Sequence, residues 1–150
     1  MATEYTNYID GDWIKSESGE TFEVHNPAST TEVVGRFQAS TAADTERAIE
    51  AANEAAAEWA ATPGPERGAI LNRTASLLEE RKDEATETLV NEEGKTRSEA
   101  SGEVQRAIDI FYYYAQKSSD IGGVSKEPSG TKKNLYTKRE PLGTVGLITP

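Results

Sequence analysis

The apolar residues of this chain change their spacing twice, and the order of the three regimes narrows the folds open to it. Up to about residue 40 they alternate with polar neighbours, from Thr41 to Ser118 they recur at helical spacing, and beyond Ser118 alternation returns. "YIDGDWI" sets Asp10 and Gly11 between two short apolar runs, a tight-hairpin signal because glycine accepts a positive φ. "TFEVHNP" alternates Phe22 and Val24 with polar residues and breaks at Asn26-Pro27, and "EVVGRF" follows as a third extended piece. These pieces predict a small antiparallel meander.

The middle of the chain predicts three helices. "TAAD" at Thr41 to Asp44 has the form of a capping box, in which threonine and acid satisfy the free amides of a first turn. Ile49, Ala52, Ala56 and Trp59 then share one face, and "TPGP" at Thr62 to Pro65 ends that helix and starts another, with Pro65 in its first turn. Ile70, Thr74, Leu77 and Leu78 form the face of the second helix, which continues through Ala85 and Leu89 to Gly94. "TRSE" at Thr96 to Glu99 is a second capping box. It opens the most regular helix, with Ala100, Val104, Ala107, Ile108, Phe111 and Ala115 in one stripe. A glycine-rich connector, the extended "NLYTKRE", and an apolar run from Val145 to Ile148 complete the order. That last run predicts a buried strand, with Thr149-Pro150 as its exit.

Several classes of function are excluded. Only 35% of the residues are hydrophobic and many of those are alanine, which predicts a lean core. The net charge of −10 repels phosphate backbones and anionic headgroups, so neither nucleic acid nor a membrane surface is expected as a partner. The acid is spread along the chain, which suits a carboxylate surface adapted to high salt as well as it suits an ordinary acidic cytosolic protein. With no cysteine, these residues hold no disulfide, thiolate metal site or cysteine nucleophile. "MATEYTNYID" has neither a basic nor an apolar leader segment, and no window approaches a membrane span, so the expected location is cytoplasmic.

Short motifs weigh less than they first suggest. Gly94-Lys95-Thr96 ends like a P-loop, but the position needing the first glycine is Leu89 and a helix precedes it. It reads better as a helix stop followed by a helix start. His25 is the only histidine, which rules out a histidine triad or multi-histidine metal site here. The aromatics of "IFYYYA" lack the basic surroundings of a base-stacking platform and read as helix packing. Asn72-Arg73-Thr74 matches a glycosylation sequon but falls inside a predicted helix, and the pairs Glu79-Glu80 and Glu92-Glu93 diverge on a helix surface. No self-sufficient catalytic constellation emerges.

"YIDGDW", "FEVHNPASTTEVVG", "RAIEAANEAAAEW", "PERGAILNRTASLLEERKDE", "NEEGKTRSEASGEVQRAIDIFYYYA" and "KREPLGTVGLITP" together resemble the N-terminal part of the NAD(P)-dependent aldehyde dehydrogenase superfamily. The resemblance covers nearly the whole chain, in order and at matching spacing. It implies an α/β fold: a small β-meander, three helices and the start of a Rossmann-type parallel sheet, incomplete as given. Residues 1–122 would be the N-terminal part of the cofactor-binding domain and 123–141 an oligomerisation arm. Residues 142–150 would be the first inner strand, truncated at Pro150. By the same resemblance, backbone groups of Ile148 and Thr149 would pack on the adenosine part of NAD or NADP, with Pro150 fixing the turn. The partners implied are a small aldehyde and further copies of the chain in a dimer or tetramer, "NLYTKRE" being an edge strand that another subunit completes.

The family's chemistry is attack of a cysteine thiolate on the aldehyde, hydride transfer to nicotinamide, and hydrolysis of the resulting thioester. None of the residues that perform it matches a position in this sequence. Some members bind a monovalent cation through a helix carboxylate and a carbonyl near the "NP" turn, for which the matching positions are Glu103 and the backbone carbonyl of His25. Among branches, the closest likeness is to enzymes oxidising 2-oxoglutarate semialdehyde (2,5-dioxopentanoate), in a halophilic version. Succinate semialdehyde or general aldehydes are the competing substrates. A non-catalytic binding or assembly module on the same scaffold is the reading from a different class.

Overall fold

The computed structural model describes residues 2–149, so the expected cofactor contact at Pro150 lies outside the described residues. Strands β1 (Asn7–Ile9) and β2 (Asp12–Ile14) form the first hairpin, pairing Tyr8 with Trp13. Asp10 and Gly11 between them both take positive φ, 54° and 86°, as a two-residue loop matched to the strand twist requires. Strands β3 (Thr21–Asn26) and β4 (Ser29–Gln38) form the second, pairing Phe22 with Phe37 and Val24 with Gly35. The register shifts on both sides of His25. A Cβ on Gly35 would lie 2.6 Å from the Tyr5 ring, which stacks on Phe37 with centroids 5.0 Å apart.

The expected single meander is instead two separate two-stranded ribbons. Residues between β2 and β3 spend their polar groups on side chains rather than on a ladder. The Ser16 amide donates to Gln38 Oε1 at 3.0 Å, and its hydroxyl donates to Asp44 Oδ2 at 2.7 Å.

Four helices follow, α1 (Ala42–Ala61), α2 (Gly64–Glu80), α3 (Lys82–Glu93) and α4 (Arg97–Lys117), where three were expected. Both capping boxes form as read, Thr41 with Asp44 and Thr96 with Glu99, and Gly94 closes α3 in the left-handed conformation. The expected second helix breaks at Arg81, whose φ and ψ are −102° and 19°. The run from Glu79 to Glu84 holds no apolar residue to fix its direction. Bending there lets α2 and α3 each lie along α4.

The buried face of α2 also differs from the one expected. Gly68 and Ala75 point inward, while Ile70 and Leu77 are about half exposed. Small residues decide this, because a Cβ on Gly68 would meet Ser118 Oγ at 2.2 Å and the Ala115 carbonyl at 2.6 Å. The α4 stripe holds, with Ala100, Val104 and Ile108 buried. Of the aromatic run only Phe111 and Tyr112 turn inward, Tyr112 bonding Ser76 and Glu79; Tyr113 and Tyr114 are exposed, contrary to the packing expected of them. The buried apolar set among the described residues is small, as the composition predicted: Ile9, Ala75, Ala100, Val104 and Ile108.

Past α4, β5 (Ser125–Lys126) and β6 (Leu135–Tyr136) make a short antiparallel ribbon. The strand expected from Val145 to Ile148 does not form: Leu142, Val145, Leu147 and Ile148 are exposed and pair with no strand among the described residues. A strand needs a neighbour to take its amides and carbonyls, and none of the described residues offers one.

Candidate functional site

A cluster of charge sits where α3 ends and α4 begins. Gly94 donates its amide to Val90 at 3.0 Å, and its Cα faces the β3–β4 turn so closely that a Cβ would lie 2.7 Å from Pro27 Cγ. Next along the chain, the Lys95 ammonium donates to both carboxylate oxygens of Glu103, at 2.8 and 2.7 Å, and also to Glu93. Hydrogen bonds to Glu103 and then to Glu93 raise the Lys95 pKa above its ordinary value. Thr96 and Glu99 complete the box, the Thr96 amide donating to Glu99 Oε2 at 3.2 Å and the Glu99 amide to Thr96 Oγ1 at 3.3 Å. Each member of the "GKT" run is thus committed to ending one helix and starting the next. No phosphate cradle results.

Glu103 and the backbone carbonyl of His25 were the groups carried over for a monovalent cation. The His25 ring donates from Nδ1 to the Thr30 carbonyl at 3.0 Å, with Nε2 3.5 Å from Glu23. Glu103 has both oxygens on a tethered ammonium, which already supplies the positive charge a cation would bring. Glu103 is thus engaged by Lys95 in this structure. No group of three or more His, Asp or Glu among the described residues is arranged to hold a metal.

A second polar centre was only half legible. Beyond its capping role, Asp44 accepts from the Glu17 amide at 3.1 Å and from Ser16 Oγ at 2.7 Å, so it ties α1 to the segment after β2. Its carboxyl is held down at about 2, first by the Thr41 amide and then by the Ser16 hydroxyl. The partners Ser16 and Asp44 lie 28 residues apart, beyond the reach of any local motif.

Ile148 and Thr149, expected at a cofactor crevice, are exposed and border neither of two open crevices among the described residues. One of these lies at the α2–α3 bend, about 280 Å³, between Leu77, Leu78 and Ala85. Its charged rim, Arg81 and Glu84, is bonded internally at 2.9 and 2.6 Å. The other, about 290 Å³, lies between Tyr8 and Ala48. These residues do not by themselves make a dinucleotide site, since no glycine-rich phosphate loop meets a helix start here.

Comparison with known proteins gives the chain a context that its geometry alone does not. Residues 13–150 match the profile of the aldehyde dehydrogenase family. Alpha-ketoglutarate semialdehyde dehydrogenase of Haloferax volcanii is 56% identical over 150 residues, covering 100% of this chain and 31% of that protein. Alpha-ketoglutaric semialdehyde dehydrogenase of Bacillus subtilis is 45% identical over 151 residues, covering 97% of this chain and 30% of its own length. Among solved structures, succinate-semialdehyde dehydrogenase from Burkholderia pseudomallei superposes with a TM-score of 0.87 at 34% identity, over 93% of this chain and 29% of that one. The chain thus spans about 30% of the length of the curated relatives it matches.

Proposed function

The chain belongs to the aldehyde dehydrogenase family, and from that premise we propose that the protein it contributes to oxidises an aldehyde to a carboxylate with NAD or NADP. The substrate we assign is 2,5-dioxopentanoate, alpha-ketoglutarate semialdehyde, with 2-oxoglutarate as product. One observation carries that choice: the relatives at 56% and 45% identity are both named for this substrate. The cofactor, when bound, accepts the hydride. The thiolate that attacks the aldehyde comes from sequence other than these 150 residues, which contain no cysteine.

In this reading the chain's own part is architectural. The helices α2 to α4 form a packed base, and Ile148 and Thr149 border the adenosine side of the cofactor crevice. Residues 123–141 form the arm that meets another subunit in a dimer or tetramer. The exposure of Ile148 and Thr149 is in keeping with a surface that further sequence covers.

The test is steady-state oxidation by the protein purified from its native source. Three aldehydes are compared, 2,5-dioxopentanoate, succinate semialdehyde and propanal, each with NAD and with NADP. The expected result is a kcat/KM for 2,5-dioxopentanoate about tenfold or more above the others, the scale at which pocket contacts discriminate. Equal or better turnover of succinate semialdehyde would overturn the substrate. No oxidation of any aldehyde would overturn the activity and leave a non-catalytic assembly module. The 150-residue chain alone is expected to show no turnover.

A further inference from the structure

We draw no further inference here: the strongest candidate, the apolar face of α1 formed by Ile49, Ala52, Ala56 and Trp59 with Ile49 and Trp59 exposed, carries nothing because nothing in the structure shows what covers it.

Discussion

Asp44 accepts from two backbone amides and two hydroxyls, so one carboxylate holds the start of α1 against the segment after β2. Its carboxyl titrates at about 2 when folded against 3.8 ordinarily, so the unfolded chain takes up that proton more readily than the folded one. The stability it contributes is therefore fully present above pH 3.8 and is lost as pH falls toward 2. Asp44→Asn should lower stability at neutral pH and flatten its dependence across that interval. Urea unfolding at a series of acidic pH values checks this, and an unchanged slope would count against the carboxylate's role. Thr86 presents the opposite case: it is 1% exposed, and its hydroxyl has no hydrogen-bond partner among the described residues. Thr86→Val keeps the shape and removes the orphan group, so it should raise stability by about 1 kcal/mol in the same unfolding assay.

Among the elements, the packing of α2 on α4 is set by a glycine. Alanine is the better helix former by about 1 kcal/mol, and at exposed Gly102, where a Cβ would meet nothing, Gly102→Ala should stabilise by up to about that amount. At Gly68 the same change drives a Cβ to 2.6 Å from the Ala115 carbonyl, a backbone atom that moves only with α4. Overpacking of this kind costs about 1–3 kcal/mol, which exceeds the propensity gain. Gly68→Ala should therefore destabilise while Gly102→Ala does not. Denaturant midpoints of the two variants measured side by side decide it, and a stabilised Gly68→Ala would mean that α2 and α4 lie further apart than their contacts imply.

For the whole molecule, the net charge of −10 matters more than any single ion pair. The ion pairs that form are largely solvent-exposed, such as Arg36 with Glu23 and Arg81 with Glu84, and pairs of that kind contribute little. Net self-repulsion then outweighs them. Raising potassium chloride from about 0.1 M to 1 M shortens the screening length from about 10 Å to about 3 Å and weakens that repulsion. The thermal midpoint of the chain should rise by several degrees over this range, followed by circular dichroism. A midpoint that falls with salt would place the ion pairs ahead of the net charge.

Features settled within about four residues could be read directly from the amino-acid order. Thr41 with Asp44, Thr96 with Glu99, the stop at Gly94 and the Asp10-Gly11 turn each need only a nearby partner or a permitted φ. The α4 stripe was equally legible because a helix buried along one face must repeat its apolar residues at that spacing. Glu103, the His25 carbonyl, Ile148 and Thr149 were named as site residues through family resemblance and not through local pattern. The bend at Arg81, the rotation that buries Gly68 and Ala75 instead of Ile70 and Leu77, and the capture of Glu103 by Lys95 were decided by tertiary structure. In each case the outcome depends on what a neighbouring element offers: a groove for a small residue, or an ammonium within reach of a carboxylate. The run from Val145 to Ile148 makes the same point from the other side. Its apolar pattern suits a strand, but strand hydrogen bonds are made between segments, and only a neighbouring segment in space can complete them.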